Sequence, residues 1–432
     1  MARSIRYRFL KFIFLFFLMM VFGTSCMFRD LKKEVAEYEE LYALAGKVTQ
    51  SSHKGQVIVI LYTIKDNRKG IVEYTLTQDK DLFSFMVPEG SYYLAAFEDQ
   101  NSNLAYDKPE PAGYFGSPGL IVVSPDQLRA EGAKGIKDLN IQLSPGNDIS
   151  TDFPTSLDGV TFIPRSFVKL GTIADLDDAV FDSENGDTGY WKPLTFLRNC
   201  GIGVYFLEPY DPHKIPILFV HGATGTPRPW SEIVEQLDRD KYQPWFFYYP
   251  SGLRLDRLGF VLNNIVKALH QDYGFNTLYV TAHSMGGLVS RSFILNSYND
   301  KQDYIKLFVS ISTPWNGHSA TAKGVKQAPA VVPSWYDMVP DSEFIKSLFT
   351  KKLPPFTQYY LFFSFRGDCS MMMANNDGSV ELSSELDYRA QADAVRIFGY
   401  DEDHTAILAS KNVINQYNLI LESMSEQPKG KQ

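Results

Sequence analysis

The sequence predicts an α/β protein, with a mostly parallel sheet covered by helices on both faces and a small all-β sandwich domain in front of it. Three observations predict this. The chain has 432 residues, 44% hydrophobic and 21% charged, a globular composition long enough for two or three domains with cores of their own. Between about Lys47 and Leu143, short apolar-alternating runs are separated by turn residues, the pattern of sandwich strands. From Gly203 onward, short apolar runs alternate with helix-period segments, the pattern of a parallel sheet buried on both sides.

The first residues read as an export signal. Arg3, Arg6, Arg8 and Lys11 form a basic start, Phe12 to Phe22 is an unbroken apolar run, and Gly23, Thr24 and Ser25 precede Cys26. Basic region, short apolar core and small residues, in that order, make a secretory signal. A membrane span is the competing reading, but the uncharged stretch is short against the roughly 20 residues usual for one. The GTSC segment resembles a bacterial lipoprotein signal. That resemblance implies cleavage before Cys26, lipidation of Cys26 and attachment of an extracytoplasmic protein to a membrane. Gly23 departs from it, because an aliphatic residue is preferred there. Cys200 and Cys369 are then left, and an exported chain permits their pairing without requiring it. Three cysteines and no CxxC pair exclude a disulfide scaffold and structural zinc. Lysine and arginine number 42 against 50 acids, a net charge of −8, which argues against nucleic acid as a partner.

Residues 27–46 are expected to form an amphipathic helix, with Leu31, Val35, Tyr38, Leu41 and Tyr42 on one side and Gly46 ending it. The sandwich is assigned to 47–145. Its strands are Val57 to Ile64, the alternating Phe83, Phe85 and Val87, then Tyr93, Ala95 and Phe97 after the Pro88-Glu89-Gly90 turn, Leu120 to Val123, and Leu139 to Leu143. The stretch FSFMVPEGSYYLAAFEDQNSNLAYD resembles transthyretin-like or carboxypeptidase-regulatory-like sandwiches of exported proteins. Within it, Asp99, Asn101, Asn103 and Asp107 place oxygen side chains at near-alternate positions, which suits either a calcium loop or an Asx-rich turn. The turn is preferred, since the glycine an EF-hand loop needs at its sixth position is missing. Residues 146–200 read as a connector, 201–425 as the α/β domain and 426–432 as a tail.

In the α/β domain, strands are expected at Ile217 to Val220, Trp245 to Tyr249, Leu278 to Thr281, Leu307 to Ile311, Tyr359 to Phe365 and Val395 to Phe398. Helices are expected at Trp230 to Leu237, at Leu258 to Leu269 and after Ser284. Ligands of such sheets bind beyond the carboxyl ends of the strands, where every reactive candidate lies. Ala282-His283-Ser284-Met285-Gly286 matches a nucleophile elbow with alanine for its first glycine, between a strand and a helix. A serine needs a base, and the base needs an orienting group. Two histidines follow Ser284 in the sequence, His318 and His404. His404 follows the last strand, and Asp377 follows the strand before it, with Asp368, Asp401 and Asp403 as competing acids. Ser284, Asp377 and His404 are thus the catalytic candidates. An oxyanion would be met by the backbone N–H of Met285 and that of Ala223, with Thr224 the next choice. Gly222 and Gly286 supply close approach, and His221 reads as a structural residue of its turn.

The segments FVHGATG, VTAHSMGGLVSR, ISTPWNG, NNDGSV and EDHTAIL, spread over Ile217 to Leu408, resemble the lipase/esterase branch of the α/β-hydrolase superfamily, which includes triacylglycerol lipases and GPI inositol-deacylase-type enzymes. The resemblance implies hydrolysis of acyl esters or lipids through an acyl-enzyme, without metal or organic cofactor. A peptidase or acyltransferase on the same fold, and a cell-surface binding protein with a vestigial site, are the alternatives. The insertion from Ser312 to Phe356 reads either as a lid and acyl-chain wall or as a helix pair completing the core.

Overall fold

The structure, a computed structural model, describes residues 27–49, 54–66, 68–77, 82–130, 135–149, 162–163, 167–367 and 375–426. Cys26 and the expected signal before it, Cys369, Asp368 and the residues after 426 lie outside the described residues. The chain divides into two compact units. One holds Glu37–Thr172 with Leu197–Ile202, and the other holds the chain up to Ala36, Ile173–Phe196 and everything from Gly203.

In the first unit, Gln56–Lys65 is the central strand, antiparallel to Arg68–Leu76 on one side and to Gly90–Asp99 on the other. A second sheet pairs Tyr42–Thr49 with Leu82–Val87. Leu44, Val59, Leu61, Phe83, Phe85 and Leu94 fill one core. Ile58, Ile60 and Tyr62, on the opposite face of the central strand, fill another with Phe97 and Ile149. Burial on both faces is why that strand reads as a continuous apolar run.

Two expectations fail here. The helix begins at 27 but ends at 40, and Tyr42–Thr49 is a strand. Tyr42, Leu44 and Val48 are buried on a period of two, which overrides the helical spacing that joins Tyr42 to Tyr38. Gly46 is therefore no helix terminator. It stands mid-strand, where a Cβ would lie 2.3 Å from the Leu139 carbonyl oxygen. The strand Arg68–Leu76 is not among the expected strands; it is exposed at Arg68, Gly70 and Val72 and buried only at Tyr74 and Thr75. The connector also differs. Ile173–Phe196 belongs to the second unit, and its polar SENGD segment opens a helix, Ser183–Trp191, held by Asn185 Nδ2 donating to the carbonyls of Ala179 and Val180.

The second unit's sheet runs, in spatial order, Ile202–Phe206, Tyr242–Tyr248, Ile215–Val220, Leu278–His283, Ile305–Ile311, Gln358–Ser364 and Arg396–Tyr400. The first pair is antiparallel and the rest are parallel. Ile217, Phe219, Tyr279 and Val309 pack with Ile233 of the short helix Ser231–Glu235 and with Tyr417 and Ile420 of the helix Lys411–Glu426. The intervening residues Leu218, Val280 and Phe308 are as deeply buried toward the other face, where Leu255–Tyr273 and Met285–Asn299 lie side by side with Gly259 against Ser292. Among the described residues no helix is long and apolar enough to cross a membrane.

Candidate active site

The site forms beyond the ends of four parallel strands, Ile215–Val220, Leu278–His283, Gln358–Ser364 and Arg396–Tyr400. Leu278–His283 runs into Ser284, whose φ of 53° and ψ of −133° are unusual for a side-chain-bearing residue. The turn starts the helix Met285–Asn299 immediately and lifts the hydroxyl off the sheet. Such a turn tolerates no bulk beside it. A Cβ on Gly222 would lie 2.8 Å from Ser284 Cβ, and one on Gly286 would lie 2.4 Å from the His221 carbonyl oxygen.

His404 lies beyond the last strand, Arg396–Tyr400, and its Nε2 is 2.9 Å from Ser284 Oγ. Its Nδ1 is 2.5 Å from Asp377 Oδ2. Asp377 is fully buried. Its Oδ2 also accepts from Ser364 Oγ at 2.8 Å, while Oδ1 accepts the N–H groups of Ser379 and Val380 at 2.9 and 2.7 Å. Burial pushes this carboxyl up, but the His404 hydrogen bond and charge and the two backbone donors outweigh it and hold it at about 2. Asp377 is thus also the Asp-Gly turn its sequence suggests, and that turn supplies two of its donors.

The competing residues have other partners. His318 caps the helix Ser319–Gln327 through Nδ1, and its Nε2 lies 2.6 Å from the Ser379 carbonyl, so it braces the Asp377 loop. Asp401 pairs with Arg366, and Asp403 caps Thr405 and Ala406.

On the other side of the serine, Gly225 N–H donates to Gly222 O and closes a turn. Thr224 N–H donates to Ser251 Oγ at 3.0 Å, so it is engaged. Ala223, the half-buried residue before it, keeps its N–H without an acceptor among the described residues, as does Met285 at the helix start. His221 stacks on Tyr249 at 4.2 Å, binds the Gly222 carbonyl through Nδ1, and its own carbonyl accepts from Tyr249 OH. Burial lowers its pKa to about 4, consistent with a neutral structural ring.

Some neighbours were not legible in the sequence. His283 is buried, with Nε2 2.7 Å from the His404 carbonyl, and burial followed by the adjacent His404 lowers it to about 3. Ser312, Ser364 and Glu385 line the far side of Asp377. None has a local motif, because fold alone gathers them.

The insertion holds three helices, Ser319–Gln327, Pro333–Met338 and Glu343–Leu348. Its last helix belongs to the core, with Phe344, Ile345 and Leu348 buried and Arg291 Nε donating to the Leu348 carbonyl. Its middle is more open, with Tyr336 exposed beside Trp335, which donates to Tyr190 OH. In the first unit, Asp107 accepts from the side chains of Asn101 and Asn103, Asp99 accepts the N–H groups of Asn103 and Leu104, and Glu110 accepts those of Gln100 and Asp107. The oxygens are thus tied within an Asx-rich turn. No group of His, Cys, Asp and Glu suited to a metal ion occurs among the described residues.

Residues 256–360 match the family described as alpha/beta hydrolase of unknown function (DUF915). No curated protein matches the chain. Among solved structures, a gene product of Listeria innocua shares 18% identity at a TM-score of 0.38, covering 51% of this chain and 96% of its own. The mature lipase BlEst2 of Bacillus licheniformis shares 21% identity at a TM-score of 0.40, covering 50% of this chain and 97% of its own. The sheet order, the elbow and the family match give the second unit the α/β-hydrolase fold.

Proposed function

We propose that this α/β hydrolase is an exported serine ester hydrolase of lipase or carboxylesterase type, acting on acyl esters through an acyl-enzyme. The observation that carries the reading is the unbroken line Ser284 Oγ, His404 Nε2, His404 Nδ1, Asp377 Oδ2, facing two unengaged backbone N–H groups. In this reading His404 Nε2 takes the hydroxyl proton as Ser284 attacks the ester carbonyl. Asp377 keeps the Nδ1 proton in place and stabilises the imidazolium. The N–H groups of Ala223 and Met285 receive the oxyanion, where losing one donor typically costs about 10²- to 10³-fold in rate. His404 then gives its proton to the leaving alcohol, and water releases the acyl group by the reverse path. No cofactor enters.

Hydrolysis of a p-nitrophenyl ester series from acetate to palmitate, by the form lacking residues 1–26, tests this. Activity that vanishes in Ser284→Ala is expected, and the preferred chain length separates carboxylesterase from lipase.

Export and lipidation of Cys26 belong to the same reading, with an acyl ester or membrane lipid as substrate. Support comes from the signal-like first residues. The sandwich is read as an accessory domain of the transthyretin-like kind. Fatty-acid label that persists in Cys26→Ser would sink lipidation at that residue.

A further inference from the structure

A second carboxyl group lies behind the triad acid. Glu385 is 1% exposed, in the short helix Leu382–Glu385 that follows the Asp377 loop. Its Oε2 accepts the Ser364 N–H at 3.2 Å, while Oε1 has no hydrogen-bond partner among the described residues. The same Ser364 turns its hydroxyl to Asp377 Oδ2, and Ser312 Oγ lies 2.6 Å from Ser364 Oγ. Ser312 and Ser364 end or follow neighbouring strands, so the cluster is set by the sheet itself. It is braced from outside, since Ser384 donates to the Gly317 carbonyl and accepts the Asn316 N–H.

Two buried carboxylates held by the same serine repel one another if both are ionised in a dry site. The donor inventory decides which one carries the charge. Asp377 has four donors, namely His404 Nδ1, Ser364 Oγ and the N–H groups of Ser379 and Val380. Glu385 has one, with its other oxygen bare. An ionised Glu385 would hold an uncompensated buried charge, whereas the protonated form is not penalised by the nearby Asp377 charge.

We propose that Glu385 is a positioning residue of the triad, an uncharged carboxylic acid that acts through Ser364 to fix the Asp377 carboxylate toward His404. Burial first, and then the Asp377 charge, push its carboxyl up to about 10, in agreement with that geometry. The inference rests on the triad reading above for its kinetic part only.

The test compares Glu385→Gln and Glu385→Ala with the parent protein on a soluble p-nitrophenyl ester, together with infrared difference spectra at neutral pH. Glu385→Gln keeps the neutral shape and the acceptor for Ser364 N–H, so its kcat should stay within about 3-fold. Glu385→Ala should lose about 10- to 100-fold in kcat with KM little changed, as misplacement of a catalytic group does. The carbonyl band of a protonated carboxylic acid should be present in the parent and absent from Glu385→Gln. A Glu385→Gln variant as inactive as Glu385→Ala, or no such band in the parent, would overturn the proposal. If Glu385→Ala does not fold, the band and the Glu385→Gln rate still decide. An inactive parent that shows the band would defeat the triad reading and leave the neutral acid standing.

Discussion

At the scale of single residues, the site depends on which of several similar groups the fold selects. Two histidines follow Ser284, and only His404 reaches it, while His318 holds the Asp377 loop by a 2.6 Å contact with the Ser379 carbonyl. His404→Ala should therefore lose about 10⁴-fold or more in kcat. His318→Ala should lose less than about 10-fold and lower the thermal midpoint instead, as loss of one half-buried hydrogen bond does. Equal losses of rate in the two variants would contradict this assignment. Gly222 makes a second test. An alanine there would crowd Ser284 Cβ and displace the Ala223 N–H, so Gly222→Ala should cost about 10²-fold in kcat/KM with little change in fold. Steady-state kinetics beside a circular dichroism melt would separate the two effects.

At the scale of elements, the elbow and the two loops around it were legible because each has a local chemical signature. Small residues, Ala282 and Gly286, stand two positions to either side of Ser284, a glycine follows His221, and Asp-Gly marks the Asp377 loop. Ser251 engages the Thr224 N–H from 27 residues away, a contact that no local motif signals. Glu385 and His283 were illegible for the same reason, as their burial is created by packing between distant segments. The misread strand Tyr42–Thr49 shows a different limit. Its helical and period-two patterns share Tyr42, and only pairing with Leu82–Val87 resolves them. The close approach of Leu139 predicts that Gly46→Ala destabilises the sandwich by about 1–3 kcal/mol. Chemical denaturation of that variant measures it. An unchanged midpoint would argue against this strand register.

At the scale of the whole molecule, buried ionisable groups set how stability depends on pH. His283 and His221 titrate at about 3 and 4 in the folded protein against 6.5 for an ordinary histidine. A depressed histidine contributes stability that is present above pH 6.5 and is lost as pH falls toward the folded value. Near pH 5 both are neutral when folded and charged when unfolded, so together they take up about two protons on unfolding. Glu385 acts with the opposite sign. Its folded value of about 10 exceeds the 4.5 of an ordinary glutamate, so its stabilisation is present below pH 4.5 and is lost as pH rises toward 10. Thermal midpoints from pH 4 to 9 should thus show Glu385→Gln gaining on the parent as pH rises. His283→Gln should flatten the fall between pH 6.5 and 4. A Glu385→Gln curve parallel to the parent's across that range would mean that Glu385 is ionised in the folded protein.

The central claim is that Ser284 is a nucleophile activated by His404. The most direct measurement is fluorophosphonate treatment of the folded protein, followed by intact mass and peptide mapping. One adduct per chain is expected, on the peptide containing Ser284, lost in Ser284→Ala and strongly slowed in His404→Ala. Folded protein that takes up no adduct, or that carries it on another residue while Ser284 stays unmodified, would contradict it.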